Sequence, residues 1–241
     1  QSAARLAKAQ VPILLAGETG TGKETLARAI HVAGGTKLAF HSVRCAGLSL
    51  PSLQALTEAS GGTLFLRGIE DLDGKAQDAL LNLLDIRDDL RVISSTRQAE
   101  RVSTTLRDDL HFRVMGAVLD MPPLRARLDL EWLADRLLRR RSAGEAQLSP
   151  TARAEIAGRP WPGNIRELQS VLDIALSLSG GQVIDLSDLP PRLAPQSEPR
   201  EDLEAVLHAC AWNMAQAARR LGVNRSTILR RVRKAGLTPP S

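Results

Sequence analysis

Gly17-Glu18-Thr19-Gly20-Thr21-Gly22-Lys23-Glu24 stands between an apolar run, Pro12-Ile13-Leu14-Leu15-Ala16, and a helix-patterned run, Thr25-Leu26-Ala27-Arg28-Ala29-Ile30-His31. Strand, glycine loop and helix in that order, with four residues between Gly17 and Gly22-Lys23, is the spacing of a phosphate-binding loop. Glycines let successive backbone N–H groups curl around phosphate oxygens, and the Lys23 ammonium can reach the β and γ phosphates. The N-terminus of the following helix adds partial positive charge. A bare strand-to-helix turn is the alternative, and Lys23 in this context favours the phosphate reading. Position 24, where a Ser or Thr hydroxyl usually meets magnesium, carries Glu24.

Beyond the loop, strand-like runs at Leu38 to Cys45, Gly62 to Leu66, Arg91 to Ser95 and Gly116 to Leu119 alternate with helical patterns. The latter cover Leu50 to Ala59 and the stripe of Ala76, Leu80, Leu81, Leu83 and Leu84. Such alternation predicts a parallel α/β sheet with the phosphate loop after its first strand. From Asp129 the pattern is wholly helical. Leu130, Leu133, Ala134, Leu137 and Leu138 form one stripe, and helices are expected at Thr151 to Ala157 and Asn164 to Leu178. Arg139-Arg140-Arg141 reads as the solvated end of its helix. Four prolines between Ser187 and Asp202 mark a linker.

The 241 residues carry a net charge of +5, and its distribution is uneven. From Ala205 onward there are seven Lys or Arg and no Asp or Glu, while the rest of the chain has a net charge of −2. That tail has the footprint of a nucleic-acid binder, against the alternative of a solvated basic helix. Leu203, Val206, Leu207 and Cys210 form a first helical stripe there. Asn213 is placed to cap a second helix ending at Leu221-Gly222, and a third carries Ile228, Leu229 and Val232 as its inward face. Two helices around a glycine turn, the second rich in arginine, make a helix-turn-helix. Cys45 and Cys210 lack metal-ligand spacing and read as buried thiols of a reducing compartment. No apolar run reaches membrane-spanning length and no leader is visible, so a cytoplasmic, nucleoid-associated protein is expected. The opening at Gln1, inside a helical pattern, is expected of a piece of a longer protein.

Five segments together resemble the bacterial enhancer-binding proteins, the AAA+ activators of sigma-54 RNA polymerase. They are Gly17 to Glu24, Gly61 to Leu66, Leu106 to Arg113, Met121 to Arg127 and Trp161 to Leu168. The basic tail resembles that family's Fis-type DNA-binding domain. The resemblance implies an AAA+ P-loop parallel-sheet core over residues 1–125 and a small helical lid over 126–186. A proline-rich linker over 187–202 and an all-α Fis-type helix-turn-helix over 203–241 would follow. It implies ATP or ADP held by Gly17, Glu18, Thr19, Gly20, Thr21, Gly22, Lys23 and Glu24, with Arg166 as the sensor II arginine. Arg107 and Arg113 match the arginine fingers that act on a neighbouring subunit's nucleotide. Asn224, Arg225, Thr227, Arg230 and Arg231 fall where the family's recognition helix meets double-stranded DNA. A homo-oligomer is implied as well, a dimer through the C-terminal domain or a larger AAA+ ring.

Departures from the family pattern carry as much weight. Its Walker B Asp-Glu pair, which holds magnesium and orients the attacking water, is here Arg67 and Gly68. Ile69 and Leu72 keep the family's spacing, so Glu70 and Asp71 are not expected to substitute. The sensor I asparagine corresponds to Arg97, and an asparagine before the second strand's cysteine corresponds to Arg44. A cation at 67 disfavours magnesium, whereas arginine can itself neutralise phosphate. Nucleotide is therefore expected to bind and to turn over weakly or not at all. The Gly-Ala-Phe-Thr-Gly-Ala loop that contacts sigma-54 is missing between Cys45 and Gly61, so contact with RNA polymerase through it is not expected. The sequence expectation is a DNA-binding transcriptional regulator working without sigma-54. The rivals are an active ATPase that remodels polymerase and an architectural DNA-binding protein with an inert AAA+ scaffold.

Overall fold

A computed structural model describes residues 2–49, 51, 53, 56, 61–142, 144–180, 183–192, 203, 206–208, 210, 212–220, 225–235 and 237. They form two compact units, divided between Pro190 and Pro191.

In the first unit, helix α1 (Ser2–Lys8) leads into strand β1 (Ile13–Ala16), the phosphate loop and helix α2 (Lys23–Ala33). Strand β2 (Ala39–Arg44), strand β3 (Gly62–Arg67), helix α3 (Gly74–Ile86) and strand β4 (Leu90–Thr96) follow. Helices α4 (Ala99–Thr105) and α5 (Asp108–Val114) precede strand β5 (Ala117–Asp120). The five strands form one parallel sheet in the order β2-β3-β4-β1-β5. Parallel sheets are covered on both faces, which is why β1 and β4 are buried along their whole length.

The two-residue repeat of a strand sorts these side chains between two cores. Leu14, Leu64, Leu66 and Val92 pack with Leu80, Leu83 and Leu84 of α3 and with Leu110 and Val114 of α5. Ile13, Leu15, Phe65 and Ile93 face the other way, onto Ala7 of α1 and Ala27 and Ile30 of α2. Asp73 caps α3 by accepting the Ala76 N–H at 2.8 Å. Arg91, second in β4, donates to the carbonyls of Ala7 and Leu6 at 2.8 and 2.6 Å at the C-terminal end of α1, where Leu6 also accepts the Ala9 N–H at 3.1 Å.

The lid comprises α6 (Leu130–Arg141), β6 (Gln147–Leu148), α7 (Pro150–Ala157), α8 (Asn164–Ser179) and β7 (Val183–Ile184), with β6 and β7 paired in parallel. Its core is built on the fully buried Trp161, whose Nε1 donates to the Ile156 carbonyl at 2.9 Å. Ser149 caps α7, with Pro150 in its first turn. Leu189 packs into this core, so residues 187–190, read from sequence as the start of the linker, lie with the lid. In the run after Leu138, Arg139 and Arg140 are exposed, while Arg141 is half-buried and paired with Asp173.

In the second unit, α9 (Met214–Arg220) and α10 (Arg225–Ala235) pack with Leu203 and Leu207 around Ala217, Ala218, Ile228 and Val232. Asn213 caps α9 as expected, its Oδ1 accepting the N–H groups of Ala215 and Gln216 at 3.1 and 3.2 Å. Leu229 departs from expectation. Ile228 and Val232 are four apart and share the buried face, while Leu229 lies about a quarter-turn round the helix and is exposed. Cys210 is half-buried rather than fully buried. The turn residues Leu221 to Asn224 lie outside the described residues.

Candidate functional site

The phosphate loop after β1, the tips of β2, β3 and β4 and the start of α8 line a cleft of about 440 Å³. Open parallel sheets bind ligands at the carboxyl ends of their strands. The lining includes Thr19, Gly20, Gly22, Lys23 and Glu24 of the phosphate loop, together with Arg44, Arg67, Gly68, Arg97 and Arg166. Arg44, Arg67 and Arg97, the cations that the sequence reading sets against family groups, therefore face one space. The sensor II candidate Arg166 faces it too.

Lys23 Nζ donates to the carbonyls of Gly17 and Glu18 at 2.6 and 2.8 Å. Burial lowers the pKa of this ammonium, and Arg166 and Arg97 push the same way against the opposing Glu70. Thr21 Oγ1 donates to the Glu18 carbonyl at 2.9 Å, closing the loop on itself. Gly20 has φ +83°, and a Cβ there would lie 2.1 Å from the Gly163 carbonyl oxygen of the lid.

Glu18 has a role that the glycine spacing does not reveal. Arg125 grips its carboxylate with both guanidinium arms, at 2.9 and 2.5 Å, and Asn164 Nδ2 donates to the same group at 3.1 Å. Hydrogen bonds from Arg125 and Asn164 hold its pKa down at about 2. Ile165 N–H donates to the Gly20 carbonyl at 2.9 Å, so the lid is fastened to the loop at several points. The turn before α8 is strained to make this possible. Trp161 and Asn164 have φ of +49° and +53°, a region that side-chain-bearing residues seldom occupy.

At the end of β3, Arg67 Nη1 stands 3.6 Å from Glu24 Oε2, and Arg28 Nη2 holds Glu24 Oε1 at 3.0 Å. Gly68 turns left-handed, φ +68° and ψ +60°, and a single 3₁₀ turn spans Ile69–Asp71. Ile69 and Leu72 are buried, as their spacing implies, yet the turn brings Glu70 and Asp71 into the cleft lining. The spacing argues only against their substituting for the Walker B pair; their place in the lining is what the structure adds. Glu70 Oε1 accepts the Arg97 N–H at 3.0 Å and its Nε–H at 3.1 Å, while Oε2 is buried with no hydrogen-bond partner. Burial alone would raise the Glu70 pKa, but the hydrogen bonds from Arg97 outweigh it and the pKa is lowered. Asp71 Oδ1 takes Arg97 Nη2 at 3.1 Å.

Arg107 and Arg113 are not among the residues that line the cleft. Both are half exposed around α5, Arg107 paired with Asp78 and Asp109 and Arg113 with Asp85. Cys45 is buried beside Arg44, and burial pushes its thiol up to about 12, which makes it an inert core group. In the second unit, Arg230 and Arg233 are exposed on α10. Positions 227, 230 and 231 share one face of that helix by spacing, Arg225 begins it, and Asn224 lies outside the described residues.

The Sigma-54 interaction domain family matches residues 1–124. The chain belongs to that family. The AAA+ ATPase lid domain follows at 125–206 and the Fis family of bacterial regulatory proteins at 200–234, so the order is that of an enhancer-binding regulator. The acetoin catabolism regulatory protein of Cupriavidus necator is 34% identical over 305 positions, covering all of this chain and 46% of the relative. The transcriptional regulatory protein ZraR of Salmonella typhimurium is 31% identical, covering 94% of this chain and 64% of its own length. The chain thus spans about half to two thirds of these relatives. NtrX from Brucella abortus, solved in complex with ATP, matches with 26% identity and a TM-score of 0.68, over 98% of this chain and 66% of that one. The RuvB branch migration motor of Thermotoga maritima shares the fold, with 21% identity and a TM-score of 0.64 over 94% of this chain and 80% of that one. The α/β core with its lid is an AAA+ P-loop fold.

Proposed function

We propose that the chain is the nucleotide-responsive and DNA-binding part of a cytoplasmic transcriptional regulator. Its AAA+ unit binds ATP or ADP without efficient hydrolysis, and its Fis-type unit selects double-stranded DNA as a dimer or within a larger ring. The observation that carries this reading is the tip of β3. By the family resemblance its positions 67 and 68 are those where metal is held and water oriented, and here Arg67, paired with Glu24, and Gly68 line the cleft instead. Phosphoryl transfer depends on positioning and charge, and losing the water-orienting carboxylate removes about 10²–10⁴-fold of rate. The phosphate cradle itself is retained from Gly17 to Lys23, and a relative of the same fold was crystallised with ATP.

Independence from sigma-54 is supported by the sequence, which contains no Gly-Ala-Phe-Thr-Gly-Ala. Alignment to the acetoin regulator runs over 305 positions against the 241 residues here, so the relative has segments without a counterpart in this chain. Residues 57–60, in the stretch where that loop would fall, lie outside the described residues.

Two measurements test the proposal. Titration of ATP into the purified chain should show binding that a Lys23→Ala change weakens; equal affinity in both would remove the nucleotide role. Phosphate release should stay at or near background with magnesium. The active-ATPase alternative has one observation in its favour, the buried Glu70 in the cleft lining. Multiple turnover abolished by Glu70→Gln would establish that alternative instead.

A further inference from the structure

Three carboxylates line the cleft, and each is already engaged by arginine. Glu24 meets Arg28 at 3.0 Å and Arg67 at 3.6 Å, Glu70 Oε1 meets Arg97 at 3.1 Å, and Asp71 meets Arg97 at 3.1 Å. Magnesium demands near-octahedral oxygen coordination and sheds its water reluctantly. Among the described residues the one buried carboxylate oxygen in the cleft without a hydrogen-bond partner is Glu70 Oε2, beside the Arg97 guanidinium, and a single such oxygen does not make a magnesium site. Among the described residues no three His, Cys, Asp or Glu side chains are grouped to hold a metal. The residues present do not fit the divalent cation that the family's fold implies.

They do fit a polyphosphate. Lys23, Arg44, Arg67, Arg97 and Arg166 converge on the same cleft, five cations against the three carboxylates. Guanidinium forks pair with phosphate oxygens bidentately, giving direction as well as charge. Arg67 is free to turn toward such a ligand. Its side chain is 48% exposed, and its 3.6 Å approach to Glu24 is an ion pair at longer than hydrogen-bond range.

We propose that this cleft binds nucleotide polyphosphate without a divalent cation, the Arg67 guanidinium taking the place that the family gives to metal. Lys23, Arg44 and Arg166 supply the rest of the neutralisation, while Arg97 stays with Glu70 and Asp71. A divalent ion then competes with the protein, because it screens the phosphates and is repelled by Arg67. The inference rests on the nucleotide reading above and narrows it to the metal-free anion.

Calorimetric titration of ATP and of ADP into the full chain, in EDTA and then in excess magnesium, tests it. Affinity in EDTA should equal or exceed that in magnesium. An Arg67→Asp variant should reverse the order, binding about tenfold or more weakly in EDTA than in magnesium. A fall of that size in EDTA for the unaltered chain overturns the proposal while leaving nucleotide binding intact. Absence of binding in EDTA and in magnesium alike overturns both readings. Should Arg67→Asp lose its fold, shown by a lost cooperative melt, the comparison of the unaltered chain in the two buffers still decides.

Discussion

Asn164 Nδ2 donates to both Glu18 Oε2, at 3.1 Å, and the Thr19 carbonyl, at 3.0 Å, while its Oδ1 accepts the Leu124 N–H at 2.7 Å. One fully buried amide thus joins the phosphate loop, the start of the lid and the first turn of α8. Asn164→Ala strips partners from three groups at once and places a residue without a side-chain acceptor at φ +53°. Each buried group left unpaired costs about 1–3 kcal/mol. Denaturant unfolding should show a loss of about 2–4 kcal/mol. Asn164→Gly relieves the backbone strain but not the lost bonds, so it should recover only part of that loss. A loss of less than about 0.5 kcal/mol for Asn164→Ala would mean that the amide does not couple these segments.

Glu18 makes the same junction sensitive to acid. Its folded-state pKa of about 2 lies below the ordinary value of 4.5, so the fold favours the ionised form. The stabilisation is complete above about pH 4.5 and is lost as pH falls toward 2. The side chain is 42% exposed, so solvent screening limits its size. Melting temperatures of the native chain and of Glu18→Gln should differ at neutral pH and converge as the pH approaches 2. Parallel curves across that range would exclude a charge-dependent clamp.

How much of this could be read from residue order depends on distance along the chain. The loop, its flanking strand and helix and the alternating core were legible because each rests on spacing within a dozen residues. The contacts of Glu18 were not, since Arg125 and Asn164 lie 107 and 146 residues away. The entry of Glu70 into the cleft lining was hidden for another reason. The spacing of Ile69 and Leu72 correctly places both in the core, but only the left-handed Gly68 shows that the intervening turn swings its carboxylates into the cleft. The inward face assigned to Leu229 was one residue too broad, an error that a short helix with one buried stripe invites.

Gly20 and Gly35 separate steric closeness from backbone strain. Both are left-handed, at φ +83° and +73°, but a Cβ on Gly20 would sit 2.1 Å from Gly163 O, whereas one on Gly35 meets nothing within 4 Å. Gly35→Ala bears only the conformational cost, about 1 kcal/mol. Gly20→Ala must also push the lid from the loop and disturb the bond from Ile165 N–H to the Gly20 carbonyl. Unfolding titrations should rank Gly20→Ala well below Gly35→Ala in stability, and only the former should lose ATP affinity. Equal losses would show that the loop and lid give way without resistance.

DNA binding should rest on the exposed face of α10 rather than on basic charge at large. Arg230 is exposed there and shares a face with positions 227 and 231, while Arg139 is likewise exposed, on the lid. If Arg230 meets a phosphate, Arg230→Ala reduces affinity by a similar factor on every sequence and lowers the salt slope by about one. If it meets a base edge, the slope holds and discrimination falls at one position of the site. Arg139→Ala should alter neither quantity, since a solvated charge off the contact face contributes only weakly through the long-range field. Gel-shift titrations at two salt concentrations, on a selected site and a scrambled one, distinguish these outcomes. Equal effects of the two substitutions would mean that the net charge of the chain, and not α10, carries the interaction.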